Sequence, residues 1–194
     1  MKIYLASGNA HKRGEISRIL YPHTITIPSD EHIAFDPEET ADSFFGNALI
    51  KAKQLFEITG FPAVADDSGI CVDALNGEPG IYSARYGAET GAGDDKARNR
   101  LLLSNMEGIT ERKCRFICNM VLYYDTDRFY SVQETLEGIL VTEGRGTGGF
   151  GYDPLVYLPE YGKTVAELTP EEKDACSHRG KAVRKLACII ETLQ

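Results

Sequence analysis

The stretch that most constrains the fold runs from Pro62 to Leu75 and reads PAVADDSGICVDAL. Two short apolar runs flank the adjacent carboxylates Asp66 and Asp67 and the dipeptide Ser68-Gly69, so we expect a strand, an acidic turn and a second strand. Because adjacent side chains of an extended chain point to opposite faces, Asp66 and Asp67 are expected to have different tasks. One would face a ligand or a metal, and the other would support the turn. The alternative is a solvated turn that uses Asp and Gly only for their backbone habits.

A second feature is a strand that leads through a polar turn into a helix. Residues 2–6 predict a short strand, which ends at Ser7-Gly8-Asn9, and helical spacing follows from Ala10 to Pro22. The N–H groups and the positive end of such a helix receive phosphate. Lys12, in the first turn, is unfavourable there unless an anion neutralises it. The pattern therefore favours a phosphate site, with a capped turn as the alternative.

The remaining elements follow from apolar spacing and turn residues. We expect strands at 24–27, 115–124 and 128–142, helices at 43–59 and 94–106, and a last helix from Ser177, with His178 and Arg179 in its first turn. Residues 125–127 would join two of the strands as a hairpin. Thr169-Pro170-Glu171-Glu172 is a capping box that begins a short helix carrying Lys173.

A glycine-rich segment offers a place for a flat ring. Five glycines fall within residues 144–151, and the segment continues as Phe150-Gly151-Tyr152-Asp153. Glycine permits close backbone approach, and Phe150 or Tyr152 could stack on a base. The alternative is a flexible linker, against which the two aromatic residues argue.

Composition limits the partners. The formal net charge is −8 and the isoelectric point is near 5.1, which excludes a broad nucleic-acid-binding face. A polyphosphate would have to meet a local cluster of cations. Five cysteines without a CxxC pair, and the absence of an 18-residue apolar run, favour a reduced cytoplasmic protein without a membrane partner. Cys114 and Cys118 are expected to be buried thiols of a strand and not zinc ligands.

Together these features describe a binding site for a polyanion. Separated cations suit such a ligand, and carboxylates beside it require a bridging divalent metal. With the aromatic segment, they predict a nucleotide bound with Mg²⁺ and a reaction at phosphorus, without specifying which phosphate is attacked. The cations are Lys12, Lys51, Lys173, His178 and Arg179.

Six motifs occur in order along nearly the whole chain, and through them the sequence resembles the inosine/xanthosine triphosphate pyrophosphatases. They are S-G-N-x-x-K at Ser7 to Lys12, N-A-x-x-K-A at Asn47 to Ala52, A-D-D-S-G at Ala65 to Gly69, P-G-I-Y-S-A-R-Y at Pro79 to Tyr86, G-T-G-G-F-G-Y-D-P at Gly146 to Pro154, and S-H-R-G at Ser177 to Gly180 with Lys173 upstream. The resemblance implies hydrolysis of ITP, dITP or XTP to the monophosphate and pyrophosphate. It also implies a requirement for Mg²⁺ and a homodimer. The implied fold is one α/β domain over residues 1–194, with a long curved mixed central sheet and flanking helices that form two lobes around a cleft.

The resemblance also implies roles for individual residues. Asp67 would be the general base and a metal ligand, with Glu39, or its neighbour Glu38, as a second metal ligand. Ser68 would contact the substrate. The triphosphate would be held by Ser7, Gly8, Asn9, Ala10, His11, Lys12 and Lys51. The base would be surrounded by Phe150, Gly151, Tyr152 and Asp153, and its oxygen-bearing edge would be read by Lys173, His178 and Arg179.

Two other functions are open from the sequence. A related cleft could serve modified pyrimidine nucleotides, although His178 and Arg179 after Lys173 favour purines. A nucleotide-binding regulator without turnover is the other, and the presence of both Asp66 and Asp67 argues against it. Glu134 departs from the family pattern, in which a small residue is expected at this strand position.

Overall fold

The computed structural model describes residues 1–193. Within them, a mixed seven-stranded sheet has the strand order β2-β1-β3-β4-β5-β6-β7. β1 pairs in parallel with β2 and β3, whereas β6 pairs antiparallel with β5 and β7. The strands are β1 (Lys2–Leu5), β2 (Thr24–Thr26), β3 (Ala63–Val72), β4 (Lys113–Asp125), β5 (Arg128–Leu140), β6 (Val156–Leu158) and β7 (Lys163–Thr164). The mixed α/β class expected from the resemblance is confirmed.

The α-helices begin and end close to the positions that the sequence predicts. They are α1 (Ala10–Ile19), α2 (Phe44–Thr59), α3 (Asp95–Asn105), α4 (Pro170–Cys176) and α5 (His178–Glu191). Ser43 and Ser177 cap α2 and α5 through their hydroxyl oxygens, and Gly60 ends α2 in the left-handed region at φ 69°. The capping box is confirmed, because the Glu172 N–H donates to Thr169 Oγ1 (3.2 Å) and the Thr169 N–H donates to Glu172 Oε2 (2.8 Å). No helix among the described residues is long and apolar enough to span a membrane.

The predicted turn at Asp66 to Gly69 is wrong, because β3 runs through it as one continuous ten-residue strand. The charge of Asp66, which suggested a solvated turn, is met within the fold by Lys12 and Arg179. Gly69 lies where another backbone segment passes close to the strand. A Cβ atom at Gly69 would lie 2.3 Å from the Gly80 carbonyl oxygen and 2.4 Å from Ser83 Oγ. Asp67-Ser68-Gly69 therefore stays extended and packs against distant segments, and it does not reverse the direction of the chain.

The chain divides into two compact units, and β3, β4 and β5 contribute to both. The first unit comprises Met1–Asp67, Cys118–Glu134 and the chain from Cys176 onward, and the second comprises Ser68–Ile117 and Thr135–Ala175. The cleft that the resemblance implies stays a prediction.

The first unit has an apolar layer on each face of its sheet. One layer packs strand residues such as Leu5 and Val64 against α1 and α5, through Ile16 and Leu186. The other packs the alternate strand positions against α2, and its members include Tyr4, Ala48, Ala52, Leu55, Ala63, Ala65 and Val121. The alternation of side chains along β3 therefore assigns neighbouring residues to different layers.

β4 and β5 form the predicted hairpin, with Asp125-Thr126-Asp127 at its tip, and β4 begins two residues earlier than expected. Cys114 and Cys118 lie buried in β4 as predicted, and burial raises the pKa of each thiol to about 12. Glu134 of β5 forms an ion pair with Lys185 of α5. This contact gives a charged residue a partner at the strand position where a small one was expected.

We expect Gly69→Ala to destabilise the protein by about 2 kcal/mol or more, since the added methyl group overlaps a backbone oxygen. Gly14→Ala is the matched control. Its nearest contact would be Arg18 Nη1 at 3.5 Å, and alanine inside α1 should stabilise the helix by about 0.5–1 kcal/mol. Urea unfolding of both variants measures the difference, and equal stabilities would contradict the close approach at Gly69.

Candidate active site

The turn between β1 and α1 is closed by Asn9. Its side-chain oxygen accepts the N–H groups of His11 (2.9 Å) and Lys12 (3.2 Å), and its own N–H donates to Ser7 Oγ (3.2 Å). Gly8 precedes this cap, and Ala10 is the first residue of α1. The cap holds the predicted phosphate-binding turn at the helix N-terminus and fixes the direction in which Lys12 leaves the helix.

The anion that neutralises Lys12 belongs to the protein. Lys12 Nζ lies 2.8 Å from Asp66 Oδ2, and the Asp66 side chain has no exposed surface. Arg179 donates to the same oxygen from Nε and Nη2, each at 3.2 Å, and its Nη1 donates to Glu15 Oε2 at 2.8 Å. Burial alone would raise the pKa of Asp66, but the charges of Lys12 and Arg179 hold it well below its usual range. Asp66 is therefore an ionised carboxylate inside the protein.

Asp67 points to the opposite face of β3, as the alternation predicts. Its Oδ2 accepts from Asn47 Nδ2 at 3.1 Å, and its Oδ1 lies 3.9 Å from Lys51 Nζ, with both partners on α2. Burial raises the pKa of Asp67, the charge of Lys51 and the Asn47 hydrogen bond partly oppose that rise, and the charge of Glu39 adds to it. A carboxylate with a raised pKa, close to another carboxylate, is suited to accept a proton or to bind a cation.

Lys51 connects the elements around this carboxylate. Its Nζ donates to Glu39 Oε1 at 2.7 Å and to the Asp66 carbonyl oxygen at 2.9 Å. The neighbouring Glu38 is exposed. The sequence left open whether Glu38 or Glu39 is the second metal ligand. The carboxylate of Glu39 is the one that lies beside Lys51, and its charge raises the pKa of Asp67.

The donor set fits a metal ion that arrives with a polyphosphate. The described part of the chain contains no group of three or more His, Cys, Asp or Glu side chains arranged to hold a metal by themselves. Mg²⁺ is usually bound through one or two carboxylates together with the phosphates of a substrate. Glu39 and Asp67 supply two such carboxylates.

Sequence reasoning gave no role to two residues of this site, although Asn47 begins the N-A-x-x-K-A motif. Asn47 lies four residues before Lys51, so both project from the buried, otherwise apolar side of α2, and that spacing is the signal that could have found it. Glu15 follows Lys12 by three residues on α1 and is buried, but its partner Arg179 is 164 residues away. No local pattern reveals that pairing.

In the second unit, Asp153 organises the glycine-rich segment. Its Oδ2 accepts from Lys173 Nζ (2.8 Å) and from the Phe150 N–H (2.9 Å), and Lys173 Nζ lies 4.8 Å from the centre of the Phe150 ring. Gly149 has φ 71°, and a Cβ atom there would lie 2.1 Å from the same Asp153 oxygen. The segment is therefore a structured loop with a cation and an aromatic ring side by side, and not a flexible linker.

The two aromatic candidates of this loop differ in exposure. Tyr152 is 5% exposed and donates its hydroxyl to the Ser83 carbonyl oxygen (2.9 Å), whereas Phe150 is half-buried. Gly151 is held by α3, since its N–H donates to Asp95 (2.7 Å) and its carbonyl oxygen accepts from Asn99 (3.1 Å). Phe150 is thus the ring with surface for stacking, and Tyr152 supports the loop. Sequence reasoning missed Asp95 and Asn99.

The structure distributes the remaining candidates between the two units. Ser68 follows Asp67 on β3 and is half-buried in the second unit, which also holds Lys173. His178 and Arg179 lie in the first unit and are both buried. The Arg179 guanidinium already serves two carboxylates of the protein, and its contact with a purine stays a prediction.

We expect Asp153→Asn to lower the free energy of unfolding by about 3 kcal/mol, because it leaves the buried ammonium of Lys173 without its carboxylate. Asp73→Asn is the control, since it breaks an exposed ion pair with Arg115 in the same unit and should cost less than about 1 kcal/mol. Chemical denaturation measures both. A similar cost for the two variants would count against the structural role of the buried pair.

This chain is similar over nearly its whole length to known proteins. A model of the Ham1 family matches residues 3–189. The dITP/XTP pyrophosphatase of Treponema denticola is 52% identical over 98% of this chain and 99% of its own, and that of Thermus thermophilus is 47% identical over 96% and 90%. Among solved structures, the Ham1 protein of Staphylococcus aureus superimposes with a TM-score of 0.90 at 34% identity over 100% of both chains. The nucleoside-triphosphatase / dITP/XTP pyrophosphatase of Mycobacterium abscessus gives 0.77 at 41% identity over 96% and 98%. This chain belongs to the Ham1 family.

Proposed function

We propose that the protein hydrolyses nucleoside triphosphates with deaminated purine bases (ITP, dITP and XTP) to the monophosphate and pyrophosphate. The relatives named dITP/XTP pyrophosphatase support this assignment. The observation that carries it is the arrangement around Asp67, a buried carboxylate with Lys51 at 3.9 Å and Glu39 in its electrostatic environment. Lysines paired with carboxylates, Lys12 in the first turn of α1 and Lys51 within α2, suit a polyphosphate better than a neutral ligand.

The first unit provides the phosphate-binding part of the reaction. At the turn from Ser7 to Lys12, the partly exposed Lys12 ammonium beside Asp66 meets the triphosphate, and Lys51 adds a second positive charge. The Asn9 cap keeps the turn in one conformation, so little order has to be imposed when the ligand binds.

Asp67 acts as the general base that takes the proton of the attacking water. The Asn47 hydrogen bond orients its carboxylate, and burial raises its pKa in the metal-free protein. Glu39 and Asp67 would hold Mg²⁺. When bound, this ion supplies positive charge that offsets the charge on the phosphate oxygens.

The second unit provides Phe150 and Lys173 for recognition of the base. The Phe150 ring stacks on the purine, and Lys173, kept in place by Asp153, donates to the 6-oxo group. His178, of the first unit, is a further donor in the proposal. Adenine presents an amino group at this position, so the N–H donors of adenine would face the N–H donors of the protein. Such a mismatch discriminates by about 10⁴-fold when the polar groups are left unpaired. Ser68, beside the general base, contacts the substrate.

Three further properties belong to the proposal and rest on the resemblance: one functional domain over residues 1–194, a homodimer, and action in the cytoplasm. Cys71, Cys114, Cys118, Cys176 and Cys188 are free thiols, which suits a reducing compartment.

The direct test is pyrophosphate release from ITP, XTP, dITP, ATP, GTP and dUTP, with and without Mg²⁺. We expect fast release from the three deaminated purines, only in the presence of Mg²⁺, and little from the others. Release from dUTP alone would favour a pyrophosphatase for modified pyrimidines. Triphosphate binding without any release would favour a regulator, and either result would contradict the proposal.

Asp67→Asn should abolish turnover and leave triphosphate binding nearly intact, because the amide cannot take a proton whereas Lys12 and Lys51 still carry their charges. Pyrophosphate release and calorimetric binding of a non-hydrolysable ITP analogue measure the two effects. Normal turnover by this variant would rule out Asp67 as the base.

Glu39→Gln should raise the Mg²⁺ concentration needed for half-maximal activity by about tenfold or more, since it removes one of two carboxylates. Glu38→Gln is the matched control, because it makes the same change at the exposed neighbouring position and should have no effect. The opposite order of effects would show that Glu38 is the metal ligand.

A further inference from the structure

Four charged side chains join three elements of the first unit around one buried carboxylate. We call them the buried ion network; they are Lys12, Glu15, Asp66 and Arg179. Lys12 and Glu15 come from α1, Asp66 from β3 and Arg179 from α5. Two cations and two anions balance, which is the condition under which buried charges are tolerated.

The guanidinium of Arg179 is occupied by the network. Its side chain is 2% exposed, two of its nitrogens donate to Asp66, and the third donates to Glu15. A planar guanidinium with this geometry is held from two sides. Arg179 therefore links Asp66 of β3 to Glu15 of α1.

The network also connects the two halves of the proposed phosphate site. Asp66 is the covalent neighbour of Asp67, and its Oδ2 lies 2.8 Å from the ammonium of Lys12, which follows the Asn9 cap by three residues. Glu15, one turn later on α1, is anchored to Arg179. α1 is therefore attached at two points: Lys12 contacts Asp66 of β3, the strand that also carries Asp67, and Glu15 contacts Arg179.

We propose that the buried ion network fixes the phosphate-binding turn against the strand that carries Asp67, with Asp66 and Glu15 as positioning residues. Arg179 holds these two carboxylates in place from α5. This inference rests on the proposed function, since it assigns Lys12 to the triphosphate.

The test uses inorganic tripolyphosphate, which has phosphates but no base. Its dissociation constant is measured by calorimetry at a fixed Mg²⁺ concentration for the full chain and for Glu15→Gln and Asp66→Asn. Thermal unfolding verifies that each variant is folded. If Asp66→Asn does not fold, Glu15→Gln alone provides the test. We expect each variant to weaken binding by about tenfold, the usual effect of removing a supporting partner.

Asp30→Asn is the matched control. Asp30 pairs with Arg13 on the same helix α1 at 2.7 Å, in an exposed ion pair, so the substitution makes the same change in charge outside the network. It should leave the affinity for tripolyphosphate unchanged. An equal loss in this control would show that net charge, and not the network, determines binding.

Two further measurements separate positioning from other roles. In a Lys12→Ala background, Glu15→Gln should weaken tripolyphosphate binding by less than about twofold, because the group that it positions is gone. A full tenfold loss there would indicate general loosening and overturn the proposal. Arg179→Lys should weaken tripolyphosphate binding by about the same factor as Glu15→Gln, because lysine cannot bond both carboxylates in the same geometry. Unchanged tripolyphosphate binding in this variant would overturn the proposal.

These outcomes are distinct from failure of the proposed function. Tripolyphosphate binding requires no turnover, so a protein that binds it through the network and yet releases no pyrophosphate from ITP contradicts the assigned reaction alone. A wild-type protein that does not bind tripolyphosphate contradicts the network's role.

Discussion

The contact on which the rest of the first unit depends is the buried carboxylate of Asp66 with its two cations. A carboxylate without exposed surface stays ionised only where cations compensate the lost hydration. Lys12 and Arg179 provide that compensation from α1 and α5, on opposite ends of the sequence. The same contact joins β3 to α1 and α5 at a segment whose residue types favour a turn.

The neighbouring residue uses the other face of the strand. Because β3 is continuous, Asp67 points toward α2, where Asn47 and Lys51 contact it. The Asp66 carboxylate and the cations that pair with it lie on the opposite face of β3, which packs against α1 and α5. Two adjacent aspartates thus have pKa values displaced in opposite directions, lowered for Asp66 and raised for Asp67. A rigid strand separates the charge that holds the fold from the charge assigned to chemistry.

Local signals in the sequence predicted much of this structure, and contacts between distant residues explain what they missed. The starts of α2 and α5 near Ser43 and Ser177 and the β4–β5 hairpin depend on residues a few positions apart, and the sequence predicted them. The turn expected at Asp66 to Gly69 was wrong because Arg179, 113 residues away, supplies the missing partner. Asn99, which holds the loop at Gly151 from 52 residues away, was missed for the same reason.

The most direct measurement compares the free energies of unfolding of Asp66→Asn and Asp67→Asn in urea at neutral pH without Mg²⁺. The folded-state pKa of Asp66 is lowered, so its ionised form stabilises the fold at neutral pH and its loss should destabilise the protein by about 3 kcal/mol. The pKa of Asp67 is raised, so its ionised form costs stability once the pH exceeds that pKa, and the neutral amide should leave stability unchanged or increase it. Equal losses, or a greater loss for Asp67→Asn, would contradict the division of tasks between the two carboxylates.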